Sequence, residues 1–365
     1  MPQTAMKIGI YFSLFMFSAV ICNSCNQGTY YTGETKTIVD FPQTIEIVGE
    51  LLPITCPGAL TISTCDSLLF ISTDRRPAAA LDIFDLHSNQ RLGTFCTKGK
   101  GPNEFISFHH YGQYIVDTAD CILLPAIDYG RKLTVMDITQ SIAQRRTCFQ
   151  KLLPWEEFYF RASGIFLLNG DSLLIQYPAY KIDARDYNYF LPQTVLYVNG
   201  QPIKTYEIFT RKVDTPQFSH LASFVFDAIS VLKPDQTKWA EGLRGVDYLN
   251  IVDVKSGEVV GVKTQGSPSL ERIGTESFEQ LRFYYMSVAA TDEQIFALYV
   301  DQPIVQFQTT PSPGEIRIFD WSAMPLARLK FKENLLWITV SNDNRTLYGL
   351  DYEERIYRYD LSSIR

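Results

Sequence analysis

Four acidic residues close four short apolar runs in this chain: Ser72-Thr73-Asp74, Ala126-Ile127-Asp128, Tyr299-Val300-Asp301 and Gly349-Leu350-Asp351. Behind them stand Arg75, Tyr129, Arg131 and Tyr352, and two further stretches bring Tyr180, Tyr187 and Trp239. Aromatic rings stack and charged forks fix orientation, so the mixture suits recognition of a sugar or a protein loop. A ring of carboxylates could also hold a hard cation such as Ca2+. The competing reading is that each Asp closes its own turn through its side chain. The patterns H-E-x-x-H and G-x-S-x-G do not occur, and no Ser-His-Asp order can be picked out. His109, His110 and His220 could converge as acid–base groups, although neighbours on a strand point to opposite faces, which leaves at most one of His109 and His110 for a shared site.

Such residues act together only if the fold gathers them at one end, and a repeat shows how. A phrase of alternating apolar residues ending in Asp or Asn recurs along the chain, terminating at Asp85, Asp137, Asn199, Asp253, Asp320 and Asp360. Intervals of roughly 40–70 residues with strand-like content are those of a propeller, where each repeat is one small sheet stacked on its neighbours. Two more strands precede most phrases, joined by Asn- and Asp-rich turns, and a fourth follows. The expected architecture is all-β, a six-bladed β-propeller. The sixth unit has no fourth strand of its own, because the chain stops at Arg365. Residues 37–47 read as a strand with no other blade to join, and are expected to complete the last blade and close the ring. In the connection between strands two and three, the third unit is long and aromatic, spanning Tyr177 to Pro192. The fourth unit places Trp239, Glu241 and Arg244 near the same mouth.

The 365 residues carry a net charge of −7 without a basic block, which argues against nucleic acid as a partner. Residues 8–22 form an apolar run after Lys7, too short to span a bilayer and right for the core of a signal peptide. Ser24 before Cys25 resembles a bacterial lipoprotein cleavage box, with Cys22 where an aliphatic residue is usual. The expected organisation is a signal peptide over 1–25 with lipid on Cys25, a tether over 26–36 and the propeller over 37–365. Beyond the leader, Cys56, Cys65, Cys96, Cys121 and Cys148 form no C-x-x-C pair and read as buried thiols.

One motif is more specific. Gly99-Lys100-Gly101-Pro102-Asn103-Glu104-Phe105 resembles a phrase of the TolB-like six-bladed propeller lipoproteins of Bacteroides-type bacteria, with Asn103 where those have Gly. It reads as a tight crossover between blades in which Phe105 plugs the core. Read as a phosphate loop it lacks the following Gly-Lys-Ser/Thr. The resemblance implies a cell-envelope location and a binding or assembly role. The function expected is therefore a non-enzymatic, lipid-anchored binding or scaffold protein, facing the periplasm, that takes a protein or glycan partner through its channel-mouth loops. The alternative is a metal-assisted hydrolase or lactonase. No cofactor is expected beyond the Ca2+ alternative, and nothing in the sequence sets an oligomeric state.

Overall fold

The structure is a computed structural model and describes residues 31–73, 79–101, 103–117, 119–128, 132–153, 162–169, 172–181, 189–209, 222–270 and 278–364. Six of its sheets, each built on four antiparallel strands, stand in a ring, a six-bladed β-propeller, and a separate two-stranded sheet lies in one connection. Blade 1 is Ala59–Cys65, Leu68–Thr73, Ala79–Asp85 and Arg91–Thr97, from the channel outwards. Blade 5 repeats the scheme with Arg282–Ala290, Gln294–Pro303, Glu315–Asp320 and Pro325–Lys330.

The repeated phrase is the third strand of every blade, and its terminal acid earns its place by starting the next turn. Asp85 accepts the backbone N–H of Ser88 at 2.7 Å, Asp253 that of Ser256 at 2.7 Å, and Asp320 that of Ser322 at 2.9 Å. Asn199 and Gly200 instead turn with φ of 51° and 74°, left-handed values that Asn and Gly tolerate. Asp137 caps a short helix, Ile138–Gln144, by accepting from Gln140 N–H at 2.7 Å.

Side chains alternate across each strand, so every blade has two apolar faces. In blade 1, Leu69 and Ile71 pack towards blade 6, whereas Phe70 packs towards blade 2. The core accordingly divides into six apolar clusters, one between each pair of adjacent blades. A cluster joining blade 6 to blade 1, with Leu350 and Ile356 against Ile62 and Leu69, shows that the ring is closed.

The N-terminal segment does complete the last blade, but through other residues than expected. Glu50–Leu51 is the outermost strand of blade 6, paired antiparallel to Ile356–Asp360. The expected strand over 37–47 is instead split between two blades. Glu34–Ile38 lies parallel on the outer edge of blade 4, and Thr44–Glu46 lies parallel on blade 5. The apolar side chains explain the split, because each reaches a different blade interface. Tyr31 enters between blades 3 and 4, Ile38 and Phe41 between 4 and 5, Ile47 between 5 and 6, and Leu52, Ile54 and Cys56 between 6 and 1. The segment is a belt. Its first described residue is Tyr31, which bridges to Phe209 and is buried between blades 3 and 4.

Tyr31 is the belt's first anchor. Its hydroxyl donates to Asn250 Oδ1 at 2.7 Å and its ring meets Tyr248 at 5.1 Å between centroids. The hydroxyl passes over Gly261, where any Cβ would overlap it.

Candidate functional site

In each blade the connection from strand two to strand three lies on the same face as the crossover entering the innermost strand. This is the loop face, and the hairpins joining strands one and two lie on the opposite, hairpin face. The site read from the sequence belongs to the loop face.

Several of its members lie outside the described residues: Asp74, Arg75, Tyr129, Arg131, Tyr187 and Pro102, together with Cys25. Tyr180 falls in a two-residue strand, Tyr180–Lys181, paired with Tyr189–Phe190, so the long connection of blade 3 contains a small hairpin.

The described acids turn inwards to backbone. Asp128 is 2% exposed and accepts the N–H groups of Ile106 and Ser107, each at 2.9 Å, which fixes the crossover into blade 2. Asp351 is buried and accepts the N–H groups of Glu353 and Arg355 at 3.0 and 2.8 Å, with Arg355 Nε at 2.6 Å. Asp301 is half-exposed and pairs with Arg282 Nε at 2.5 Å. Turn closure thus accounts for Asp351, whereas Asp128 bonds the distant crossover into blade 2 and not its own turn.

Trp239 does not stand on a mouth loop. It lies in the second strand of blade 4, Lys238–Leu243, and is fully buried, edge-on to Tyr206 of blade 3 at 4.8 Å. The hairpin turn before it spans Lys233–Thr237, with Asp235 accepting the N–H of Thr237 at 2.9 Å. Beside Trp239, the Glu241 carboxylate accepts from Asn250 Nδ2 at 3.0 Å and Gln176 Nε2 at 3.3 Å. Burial raises its pKa despite these donors. Asn250 in turn holds Tyr31, so one polar cluster ties blades 3 and 4 to the belt.

The glycine motif folds onto itself. Glu104 Oε2 accepts Gly101 N–H at 2.8 Å, and Phe105 N–H bonds Thr97 O at 2.9 Å. A side chain at Gly99 would overlap the Glu104 carboxylate. Phe105 is fully buried, with Lys132 Nζ 4.8 Å above its ring. Glu104 occupies the N–H group that a phosphate would need, so the loop is a blade crossover.

Among the described residues, no three His, Cys, Asp or Glu side chains come together in a way that could hold a metal ion. The nearest approach to catalytic geometry is Ser72 Oγ, 2.8 Å from His110 Nε2. Gly112 N–H points at His110 Nδ1 from 3.3 Å, so the ring proton belongs on Nε2 and is donated to Ser72. In that tautomer His110 cannot take the serine proton. Burial and the neighbouring His109 also push its pKa down to about 4.

Two features were missed by sequence reasoning. The first is a row of rings across the loop face from blade 4 to blade 6, of which the sequence named only Tyr352: Phe224–Phe283 at 4.9 Å, Phe283–Phe307 at 4.6 Å and Phe307–Tyr352 at 5.8 Å. Phe307 rides on a helix, Ile304–Thr309, in the long strand-two-to-three connection of blade 5. That connection, between Asp301 and Glu315, was the available signal. Arg244 pairs with Asp227 at 2.9 Å, and Tyr352 is 37% exposed.

The second is an axial cavity of about 500 Å³. The innermost strands line it, and the exposed turn residues Pro234, Asp292 and Asn342 form its rim, which places the opening on the hairpin face. Both His109 and His110 border it, contrary to strict alternation. The inner strand of blade 2 is interrupted there, with an isolated His109–Ile127 bridge, Gly112 at φ 69°, and a regular pair only at Ile115–Val116. Polar residues at alternate positions of inner strands, such as Thr61 and Ser63, were the legible sign of this lining.

No family model and no curated protein matches the chain. Among solved structures, the chain is similar to the β-propeller domain of Cps50 (Swd1) from Myceliophteria thermophila, at 13% identity. The match covers 86% of this chain and 100% of that one, with a TM-score of 0.41. At that level the likeness carries no argument about function. A propeller suits a binding or scaffold role, and fold alone does not choose among chemistries.

Proposed function

We propose that this propeller is a binding or scaffold protein of the bacterial cell envelope, anchored by lipid on Cys25 at the periplasmic side and recognising a protein or glycan partner on its loop face. The observation that carries the reading is the ring row Phe224, Phe283, Phe307 and Tyr352, flanked by the Arg244–Asp227 and Arg282–Asp301 pairs. Aromatic side chains with charged neighbours are the composition of recognition hot spots, since rings supply area at little entropic cost and ion pairs set orientation. The lipid reading rests on Ser24-Cys25 after the apolar leader.

Two measurements test it. Cys25→Ala should move the protein from the membrane to the soluble fraction, and full membrane retention would refute the anchor. Phe307→Ser with Tyr352→Ser should abolish cross-linking to whatever envelope component the unaltered protein captures. Undiminished capture by a folded double variant would remove the loop face from the account.

A further inference from the structure

We infer that the axial cavity on the hairpin face binds a neutral, flat ring compound that carries a hydrogen-bond acceptor. The site is separate from the ring row of the loop face and does not rest on it.

The cavity, about 500 Å³, falls within the ~300–1,000 Å³ range of small-molecule pockets. What its wall leaves open decides what it can take. Polar side chains of the wall are largely committed to protein partners. Ser63 bonds Tyr114, the Thr64 and Thr339 hydroxyls meet at 3.0 Å, and both ends of the Gln113 amide bond the Leu167 backbone. Among the described lining residues only Lys233 and Asp292 are formally charged, both in turns at the rim, and Lys233 is paired with Asp235. His110, which also borders the cavity, is kept neutral by burial, with its pKa pushed down to about 4.

The apolar side chains are less committed. Ile229, Val231 and Ala290 border the cavity on the side of blades 4 and 5, and each is only half-buried. Trp337 borders it between blades 6 and 1 and is half-buried as well. A bulge between Leu335 and Trp337 interrupts the inner strand there, a device that re-aims the side chains beside it. The Trp337 indole N–H donates to no described residue, and it is not closed off from solvent.

These open groups select the ligand. A charged molecule would lose hydration with no opposite charge inside to replace it. A polyhydroxylated one would meet wall side chains that are already paired. Apolar walls on two sides suit a flat ring body, which can lie against the Trp337 ring and the branched Ile229 and Val231. An indole N–H is a donor only, so the ring must bring it an acceptor, a carbonyl oxygen or a ring nitrogen.

The test is equilibrium dialysis of the full mature chain, in sealed cells, against five probes. Coumarin and flavone are neutral ring compounds with a carbonyl; naphthalene lacks the acceptor, coumarin-3-carboxylate is charged, and glucose is polar. At least one of coumarin and flavone should bind, with naphthalene about tenfold weaker and the last two weaker still. Trp337→Phe keeps a ring and removes the N–H. It should weaken the carbonyl compound about tenfold and leave naphthalene unchanged. Val231→Trp fills the cavity from blade 4 and should weaken every ring compound at least tenfold; if one variant does not fold, the other carries the test. The inference fails if neither coumarin nor flavone binds, or if naphthalene, the carboxylate or glucose binds as tightly. It also fails if the folded channel variants bind as the unaltered protein does, which would move the bound probe to another face.

Discussion

Blade 1 and blade 6 lie side by side, yet they are held together differently. Blade 1 is continuous in sequence, and its outermost strand, Arg91–Thr97, is as long as its innermost. Blade 6 takes three strands from the C-terminal end of the chain and a two-residue strand, Glu50–Leu51, from the N-terminal side. So short a pairing contributes few hydrogen bonds, each worth only about 0.5–1.5 kcal/mol net. The seam is secured by what flanks it: Ile47 buried between blades 5 and 6, Leu52 and Ile54 between 6 and 1, and the belt strands on blades 4 and 5. Closure in this ring is therefore a matter of buried side chains spread over four interfaces more than of strand pairing.

The largest way to break that contrast is to delete residues up to and including Leu52. The deletion removes Tyr31, Ile38, Phe41, Ile47 and Leu52 from the core, at about 1.5–3 kcal/mol for each buried side chain. The sum rivals the ~5–15 kcal/mol of a whole domain, so cooperative thermal unfolding should disappear. Leu52→Ala alone should cost about 2–5 kcal/mol in denaturant unfolding, as for other buried Leu truncations. Glu241, under the Tyr31 anchor, gives a smaller, pH-dependent effect. Its folded-state pKa is raised, so its contribution is full below the ordinary glutamate pKa and is lost as pH rises through the folded value. Stability should fall over that rise in the unaltered protein, and Glu241→Gln should flatten the slope; identical pH profiles would place the cost elsewhere. The smallest effect belongs to the exposed Arg358–Glu50 pair at 2.5 Å across the seam. Glu50→Gln should change stability by about 0–1 kcal/mol, less at high salt.

The fold was legible because the repeated phrase has a mechanical cause: an apolar third strand whose terminal Asp or Asn makes the next turn. Blade number and closure from the N-terminal side followed from it. The belt was not legible, because Tyr31, Ile38, Phe41 and Ile47 are spaced to meet successive blade interfaces, a spacing that on paper passes for one interrupted strand. At the site, Asp128 and Asp351 carried the pattern of a carboxylate ring because an Asp after a strand bonds backbone N–H groups, those of its own turn at Asp351 and those of the crossover into blade 2 at Asp128. Trp239 was misplaced because the hairpin before it, with Gln236 at φ 63°, lacks the usual Asn or Gly at its left-handed position. The channel wall escaped notice because its residues come from six separated strands and are neutral, so no single segment looked chemical.

The claim on which the rest depends is that blade 6 is shared between the two ends of the chain in a defined register. Leu52 N–H bonds Ile356 O at 2.8 Å, so the facing residues Leu51 and Tyr357 form a non-hydrogen-bonded pair, the closer spacing that suits a disulfide. Two double variants should be oxidised and mapped by mass spectrometry: Leu51→Cys with Tyr357→Cys, and Ile38→Cys with Tyr357→Cys. Ile38 is buried between blades 4 and 5, so the structure predicts a 51–357 bridge and none between 38 and 357. A 38–357 bridge with no 51–357 bridge would contradict it, because the segment over 37–47 would then itself be the closing strand.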